Sequence, residues 1–460
     1  MKAYLLIDFG STYTKLTLVD VDKEEIIATE KAYTTVDTDV TIGYNIAFEK
    51  LMEKTQDQYE IVKRLACSSA AGGLKIVAIG LVPDLTAEAA KRAALGAGAR
   101  VEKTYSFELN NDELEEIKNS NADMILLAGG TDGGNKNCII HNAEMIRKHA
   151  LEIPVVVAGN KSCNDEIKKI FGTEIKYHTT ENVMPKLNHI NVEPARESIR
   201  SIFMENIVKA KGMENVEKKM SGILMPTPAS VLKAATVLSK GTKNEEGIGD
   251  LAVLDIGGAT TDIHSIAEGL PSKPSVVFSG LEEPYAKRTV EGDLGMRYSA
   301  LSILEAAGMR HVKKYLDIET EDAEREFKKR FDNPSFIAET REEKDFDEMM
   351  AKVSGDISMS RHAGTVESVY SPMGVVYNQK GKDLMEIPYV LGTGGVIVFS
   401  ENPKEILESL LFTMDEPNSL KPRRPKFLLD KEYILSAMGL LSMVNEDMAV
   451  RMLKKYIVDL

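Results

Sequence analysis

The chain carries the same short pattern twice, and this repeat constrains its fold more than any other feature. The first copy, residues 5–15, reads LLIDFGSTYTK, and the second, residues 252–262, reads AVLDIGGATTD. In both copies three apolar residues precede an Asp, and an apolar residue and a Gly follow it. Each copy also has a Thr six positions after its Asp, at Thr14 and Thr261. An apolar strand that enters a Gly-containing turn and returns as a second strand predicts two equivalent β-hairpins.

Each hairpin turn predicts a phosphate-binding site. A tight turn of Gly and small hydroxyl residues points backbone N–H groups at one spot, and such a nest binds phosphate oxygens. Hydroxyl side chains add donors, and Lys15 places a cation within reach of a β- or γ-phosphate. The residues expected to contact the nucleotide in these turns are Gly10, Ser11, Thr12, Thr14, Lys15, Gly257, Gly258, Thr260 and Thr261.

An Asp at the end of each apolar strand predicts a shared cation site. A buried carboxylate costs free energy unless it is paired or faces a cation. Asp8 and Asp255 lie at equivalent places, so we expect them to bind one Mg²⁺ through water, which Mg²⁺ gives up reluctantly. Asp262 is the candidate for orienting the attacking water or, in a kinase, for activating a substrate hydroxyl. These three carboxylates are the expected catalytic residues.

The order of further motifs resembles that of the actin, Hsp70 and sugar-kinase superfamily. Residues 226–235, PTPASVLKAA, precede the second hairpin as the connecting helix does there, and residues 391–396, LGTGGV, resemble its adenosine motif. The resemblance implies an α/β fold with two actin-like (ribonuclease H-like) ATPase lobes around a nucleotide cleft. It also implies ATP and Mg²⁺ as cofactors. The expected nucleotide contacts in the adenosine motif are Gly392, Thr393, Gly394 and Gly395.

Between the hairpins, short apolar strands alternate with amphipathic helices, which predicts an additional doubly wound α/β unit in the first half of the chain. The expected first lobe comprises residues 1–66 and is completed by about 190–245 and by the C-terminal helices 428–460. Residues 67–189 are expected to form an inserted α/β unit, one that could handle a partner. Residues 246–427 are expected to form the second lobe, with a charged helical subdomain near 300–360. Strands over Leu251–Ile256, Thr261–Ile266 and Ser275–Phe278 are expected to repeat the three-stranded start of the chain.

A second Gly-rich segment lies inside the predicted α/β unit. Residues Gly129–Asn135, GGTDGGN, follow an apolar strand predicted at Asp123–Leu127. Two interpretations fit this segment equally: a ligand loop at the carboxyl end of a strand, or a Gly-rich turn with no ligand.

Composition excludes several kinds of partner. The formal net charge of −14 argues against nucleic acid and anionic membranes as partners. No apolar run approaches the ~20 residues of a membrane span or the start of a signal peptide. The scattered cysteines Cys67, Cys138 and Cys163 predict small core residues in a cytoplasmic protein, without an iron–sulfur cluster. The basic run Lys421–Lys426 predicts a solvated surface loop.

A closer resemblance covers the full length. Residues 80–99, GLVPDLTAEAAKRAALGAGA, together with 128–135 and 255–262, resemble the glutamate mutase (methylaspartate mutase) accessory protein family GlmL. That family is understood as ATP-dependent reactivation factors for adenosylcobalamin-dependent mutases. The resemblance implies that this chain promotes release of damaged cobalamin from an inactivated mutase, with mutase subunits as partners, and it leaves an oligomer possible.

Other functions remain open because fold alone does not fix function. A small-molecule kinase, acting on a sugar- or acid-type substrate, is the main alternative, and a filament-forming ATPase is another. The sequence carries no further signature of a sugar pocket. It also lacks the Asp-x-His-x-x-Gly motif of a cobalamin carrier, because Asp262-Ile-His264-Ser-Ile-Ala267 ends in Ala. His264 is therefore expected to be a strand residue with no ligand role.

Overall fold

A computed structural model describes residues 1–35, 39–56, 58–69, 74–149, 151–207, 223–273, 275–371 and 374–460. The chain divides into two compact units. The first comprises Met1–Gly72, Lys211–Ser279 and Tyr285–Leu460, and the second comprises Gly73–Ala210 and Gly280–Pro284.

The first lobe of the first unit is built on a five-stranded sheet. Its strands are β1 (Lys2–Phe9), β2 (Tyr13–Asp20), β3 (Glu25–Tyr33), β4 (Glu60–Ser68) and β10 (Ile223–Pro226). They lie in the order β3–β2–β1–β4–β10. The first three are antiparallel, β4 is parallel to β1, and β10 is parallel to β4. The first hairpin of the repeat is β1–β2.

The second lobe repeats this sheet. Its strands are β11 (Leu251–Ile256), β12 (Thr261–Ile266), β14 (Ala286–Glu291), β17 (Tyr389–Thr393), β18 (Lys426–Leu429) and β19 (Val458–Asp459). They lie in the order β14–β12–β11–β17–β18–β19, again with three antiparallel strands followed by two parallel ones before the terminal β19. The prediction of two actin-like (ribonuclease H-like) lobes is confirmed.

The third strand of the second lobe was placed wrongly by the sequence pattern. The apolar strand β13 (Val276–Phe278) pairs with β16 (Gly374–Lys380), and β16 pairs with β15 (Thr365–Ser371) in a separate three-stranded sheet. The strand that completes the lobe is β14, which reads AKRTVE. Its charged residues hide it from an apolar pattern, although Arg288 within it is buried.

The helices of the first unit are α1 (Val40–Thr55), α7 (Thr227–Lys240), α8 (Ala300–Tyr315), α9 (Thr320–Asp332), α10 (Arg341–His362), α11 (Gly395–Val398), α12 (Pro403–Glu408), α13 (Leu435–Ser442) and α14 (Glu446–Tyr456).

One hydrophobic core joins the two lobes. Side chains of α7, α13 and α14 pack in the same cluster as Leu6 of the first sheet and Val253 of the second. A Cβ added at Gly439 would lie 2.0 Å from the carbonyl oxygen of Ser230, so α7 and α13 cross too closely for any other residue.

The charged parts of the second lobe are less exposed than their sequence predicts. In the charged helices, the Arg330 side chain is fully buried, and its Nε lies 2.5 Å from Oδ1 of Asp347. In the basic run, Lys421 is also buried, with its Nζ 2.6 Å from Oδ1 of Asp356. The expectation of a solvated loop is therefore wrong for Lys421, because an internal carboxylate compensates its charge.

The second compact unit is a parallel, doubly wound α/β structure, as predicted. Its strands are β5 (Lys75–Gly80), β6 (Arg100–Ser106), β7 (Met124–Leu127), β8 (Val155–Val157) and β9 (Tyr177–Thr179), in the order β6–β5–β7–β8–β9. Its helices are α2 (Glu88–Gly96), α3 (Asn111–Asn119), α4 (Asn137–Lys148), α5 (Asn164–Phe171) and α6 (Glu193–Ile207). The predicted limits 67–189 stay a prediction about the domain.

Two further observations concern the cysteines and the helices. Cys67, Cys138 and Cys163 are all free and buried. Among the helices that the structure describes, none combines the length and the apolar character needed to cross a membrane.

Candidate functional site

The two hairpins close their turns with the same hydrogen bond. The N–H of Gly10 donates to the carbonyl oxygen of Tyr13 at 3.1 Å, and the N–H of Gly257 donates to that of Thr260 at 2.9 Å. A Cβ at Gly10 would lie 2.6 Å from the Tyr13 oxygen, and one at Gly257 would lie 3.2 Å from the Thr260 oxygen. Gly is present because the closed turn has little or no room for a side chain.

The turns of the two hairpins lie next to each other. A Cβ at Gly258 would approach Oγ1 of Thr12 to 3.2 Å. The charge of Asp255 in the second hairpin also acts on the pKa of Lys15 in the first. Ser11 and Thr12 are half-buried. The structure thus brings both predicted phosphate turns to one place.

Asp8 is the buried centre of the first hairpin. Its Oδ2 lies 3.0 Å from Nζ of Lys15 and accepts a hydrogen bond from Oγ of Ser436 at 3.0 Å. Its Oδ1 accepts hydrogen bonds from Oγ1 of Thr227 at 2.7 Å and from Sγ of Cys67 at 3.6 Å. Strand β4 and the helices α7 and α13 therefore all hold this carboxylate.

Lys15 is fixed between a carboxylate and an aromatic ring. Its Nζ lies 3.7 Å from the centre of the Tyr433 ring, on a segment that sequence reasoning did not select. Burial alone would lower the pKa of Lys15, but Asp8, with contributions from Tyr433 and Asp255, raises that pKa above its ordinary value. The ammonium group therefore stays charged throughout the physiological range.

Asp255 is the carboxylate with the most perturbed proton affinity in the second hairpin. Burial, followed by repulsion from Asp262 and more weakly from Asp8 and Asp430, raises the pKa of Asp255 to about 7, against a smaller opposing effect of Lys15. The residue remains partly exposed. A carboxyl group in this state can exchange a proton near neutral pH.

Asp262 is held inside the second lobe. Nε of Arg288 donates to its Oδ1 at 2.8 Å, a second guanidinium nitrogen lies 2.7 Å from the same atom, and Oγ1 of Thr260 donates to its Oδ2 at 3.0 Å. Both members of the ion pair are buried. Both oxygens of Asp262 are thus engaged, in contrast to the more open Asp255.

Two of the predicted nucleotide contacts point into the lobes. The hydroxyl of Thr14 lies 3.0 Å from that of Thr34, and Oγ1 of Thr261 donates to the carbonyl oxygen of Leu294 at 2.7 Å. Both threonines are fully buried. Each of these equivalent threonines therefore makes a hydrogen bond inside its own lobe.

The predicted adenosine motif lies against the second hairpin. Gly394 has a φ of 94°, and a Cβ there would lie 2.3 Å from the carbonyl oxygen of Ile256. A Cβ at Gly392 would lie 2.8 Å from the side chain of Ile397, while one at Gly395 would meet open space. Gly394 is thus required for close approach of two backbones.

Thr393 connects the adenosine motif to the C-terminal segment. Its Oγ1 donates to Oδ2 of the fully buried Asp430 at 2.9 Å. Oδ1 and Oδ2 of Asp430 also accept the backbone N–H groups of Ile434 and Leu435, each at 2.9 Å. Burial raises the pKa of Asp430, while these hydrogen bonds act in the opposite direction.

A segment that sequence reasoning missed, residues 292–299, packs on the second turn. The N–H groups of Met296 and Arg297 donate to the carbonyl oxygens of Gly257 and Gly258 at 3.1 and 2.8 Å. The glycines of its GDLG sequence are the available signal: a Cβ at Gly295 would lie 2.2 Å from the backbone of residue 259.

Of the two carboxylates predicted to share Mg²⁺, Asp255 is partly exposed, whereas Asp8 is buried and has partners at both oxygens. The raised pKa of Asp255 reflects negative charge that a divalent cation would offset. Within the described parts of the chain, no group of three or more His, Cys, Asp or Glu side chains could hold a metal ion.

Comparison with known proteins identifies the family. A family model described as MutL protein matches residues 4–457. The chain belongs to the MutL protein family. Protein MutL of Clostridium tetanomorphum is 62% identical over 460 residues, which cover 100% of both chains.

Two solved structures resemble this MutL family member over nearly its whole length, with low TM-scores. The activator of the 2-hydroxyisocaproyl-CoA dehydratase from Clostridium difficile, solved with bound ADPNP, is 10% identical, with 98% of this chain and 97% of that chain covered and a TM-score of 0.32. The xylulose kinase from Lactobacillus acidophilus is 11% identical, with 100% and 93% covered and a TM-score of 0.36.

The Gly129–Asn135 loop lies in the second compact unit and is held by two buried amides. The side-chain nitrogen of Asn160 donates to the carbonyl oxygens of Gly134 and Asn135 at 3.2 and 3.1 Å, and that of Asn182 donates to Gly130 at 3.0 Å. A cavity of about 630 Å³ lies beside it, lined by polar residues that include Asp132, Lys161 and Asn182. Both interpretations of this loop stay open.

Proposed function

We propose that this MutL family member binds and hydrolyses ATP with Mg²⁺ where its two hairpins meet. The observation that carries the proposal is the pair of equivalent Gly turns, which lie side by side around Asp8, Lys15 and Asp255. Two turns and a fixed ammonium group supply the donors that a polyphosphate needs. The repeated sheet order of the two lobes supports the same conclusion.

We assign the nucleotide contacts to the two turns and to the predicted adenosine motif. The proposed phosphate contacts are Gly10, Ser11, Thr12, Lys15, Gly257, Gly258 and Thr260, and the proposed adenosine contacts are Gly392, Thr393, Gly394 and Gly395. Thr14 and Thr261 would shape the turns from inside, since their hydroxyls make hydrogen bonds within the lobes.

The three carboxylates would divide the remaining tasks. Asp8 and Asp255 would hold hydrated Mg²⁺, which supplies charge neutralisation for the phosphates. Asp255, with its partly open position, is better suited than Asp262 to orient the attacking water, because both oxygens of Asp262 are engaged. Asp262 would position Thr260 through their hydrogen bond, with Arg288 fixing its carboxylate.

We further propose that ATP turnover serves the reactivation of an adenosylcobalamin-dependent mutase, such as glutamate mutase, by promoting release of damaged cobalamin. The support is the full-length resemblance to the glutamate mutase accessory family and the presence of a separate α/β unit in the same chain. A change in the ATP lobes on hydrolysis could then be passed to a unit that handles the partner.

The proposal is tested by measuring ATP hydrolysis with the purified protein alone, with a mutase that holds inactive hydroxocobalamin, and with small sugars, alcohols and acids. We expect turnover to rise with the inactivated mutase and mutase activity to return. A rate of ATP hydrolysis that does not change with the mutase but rises with a small substrate would identify a kinase instead.

Two lysine variants separate the site from general effects of charge. Lys15→Ala should weaken ATP binding and leave adenosine binding unchanged. Lys455→Ala is the matched control, because its Nζ forms an exposed ion pair with Glu25, 2.8 Å away, outside the proposed site. Equal weakening of ATP and adenosine by Lys15→Ala would contradict a phosphate contact.

A further inference from the structure

We infer that Tyr433 is a positioning residue whose ring fixes the Lys15 ammonium group for the phosphates of ATP. The inference rests on the proposed function, because it assigns a role within the same site. It concerns a residue outside every motif that the sequence pattern selected.

The Lys15 ammonium group is restrained from two sides. Its Nζ lies 3.7 Å from the centre of the Tyr433 ring and 3.0 Å from Oδ2 of Asp8. A cation over an aromatic face is attracted by the ring, and more strongly where water is excluded. The Lys15 side chain is 19% exposed, so one part of it remains accessible. A lysine that is already ordered loses less side-chain entropy when a phosphate binds.

The Tyr433 ring is itself held in place by a strained backbone. Tyr433 has a φ of 54°, in the left-handed region that non-Gly residues rarely adopt. Its N–H donates to the carbonyl oxygen of Asp430 at 2.9 Å. The carboxylate of Asp430 in turn accepts the hydroxyl of Thr393 in the adenosine motif. Strain of this kind persists where surrounding contacts fix it, often at functional sites.

A second lysine and a second ring extend the arrangement. Lys31 pairs with Lys15 across β2 and β3, and its Nζ lies 4.4 Å from the centre of the Phe399 ring. The rings of Phe399 and Tyr433 meet edge to face, with centres 6.5 Å apart. Burial and then repulsion from Lys15 lower the pKa of Lys31. Each of the two neighbouring cations thus has an aromatic face of its own, which partly offsets the repulsion between them.

The test compares the dissociation constants of ATP, ADP and adenosine for the full-length wild type and variants. Tyr433→Leu should weaken ATP binding about tenfold and leave adenosine binding unchanged, while Tyr433→Phe, which keeps the ring, should stay within about twofold of the wild type. Tyr433→Gly removes the ring and relieves the left-handed backbone, so it gives a folded variant if the leucine variant is unstable. It should show the same loss for ATP.

A double variant isolates the effect of Tyr433 that passes through Lys15. In a Lys15→Ala background, Tyr433→Leu should change ATP affinity less than about twofold, because the ring no longer has a cation to position. The matched control is Tyr4→Leu, since Lys63 Nζ lies 5.6 Å from the Tyr4 ring, near the start of β1. We expect it to leave ATP affinity unchanged.

If the wild type binds ATP, any of three results would overturn the inference about Tyr433 alone. The effects of Tyr433→Leu and Lys15→Ala on ATP affinity could multiply in the double variant, or Tyr433→Leu could weaken the binding of ATP and adenosine equally. The third result is a loss of ATP affinity with Tyr433→Phe as large as with Tyr433→Leu. Absence of ATP binding by the wild type would overturn the proposed function and this inference together.

Discussion

Asp262 occupies in the second hairpin the register position that Lys15 occupies in the first. Asp8 faces Lys15 across β1 and β2, and Asp255 faces Asp262 across β11 and β12. One hairpin therefore pairs opposite charges, while the other sets two carboxylates against each other. Arg288 on the third strand offsets the second arrangement. The repeat is preserved in its backbone and altered in its charge, and this difference leads to the first two predictions.

ATP turnover should depend on the protonation of Asp255. Without Mg²⁺ the pKa of Asp255 is about 7, so below neutral pH its carboxyl group is protonated and can neither hold the hydrated cation nor orient the attacking water. We expect kcat/KM for ATP to fall about tenfold per pH unit below pH 7 and to reach a plateau above it. Asp255→Asn should lower kcat at least about 100-fold and remove this dependence.

The matched control for this pH profile is Asp332→Asn, because Asp332 forms an exposed ion pair with Lys328. It should keep the wild-type profile. A wild-type profile in the Asp255→Asn variant would assign the titration to another group.

Removal of Asp262 should destabilise the second lobe. Asp262→Ala deletes the carboxylate that Arg288 contacts with two nitrogens in a buried site, which should lower the free energy of unfolding by about 3–5 kcal/mol. Asp293→Ala, which breaks a partly exposed pair with Arg361, should cost less than about 1 kcal/mol. Urea unfolding of both variants checks the difference, and equal costs would contradict it.

Two adjacent glycines of the adenosine motif should respond differently to a methyl group. Gly394→Ala places a Cβ 2.3 Å from the Ile256 carbonyl oxygen at a φ of 94°, so it should lower the free energy of unfolding by more than about 2 kcal/mol. Gly395→Ala meets open space and should change it by less than about 0.5 kcal/mol. Thermal unfolding distinguishes the two, and an unchanged Gly394→Ala variant would show that the strands move apart freely.

Stability should fall in mild acid because of His264. Burial, and then repulsion from Arg288, holds the pKa of this histidine well below its ordinary value. Below pH ~6.5 the unfolded chain binds a proton at this position while the folded chain does not, so the free energy of unfolding falls as pH falls, by up to about 1.4 kcal/mol per pH unit. His264→Phe should reduce the dependence measured by urea unfolding between pH 7 and 5 and leave the part due to His362, whose pKa burial also holds well below its ordinary value. His189→Phe, at an exposed position, should not.

The repeated hairpins were predictable because their turns need glycine. Gly10 and Gly257 occupy turns with little or no room for a side chain, so the sequence records the backbone geometry directly. The alternation of apolar strands and helices likewise predicted the parallel sheet of the second unit. In both cases local conformation determines which residues are present.

The other residues around the site could not be predicted in this way. Ser436 and Tyr433 reach Asp8 and Lys15 from the far end of the chain, through the packing of α13. Arg288 lies on β14, a strand whose charged sequence shows no apolar pattern. This buried side chain is held by its ion pair with Asp262. Such contacts depend on tertiary packing, and no local sequence signal records them.

The pairing of β4 with β10 has a consequence for the architecture of the whole chain. Ser68, the last residue of β4, lies in register with Pro226, the last residue of β10, and these parallel strands are neighbours in one sheet. The polypeptide thus departs from the first lobe at Ser68 and rejoins it on the adjacent strand at Ile223, which lies in register with Ala66. The five-stranded sheet of the first lobe contains no strand from the described residues between β4 and β10. The residues between Ser68 and Ile223 therefore form a long insertion in a connection between neighbouring parallel strands, for which a crossover of about a dozen residues would suffice.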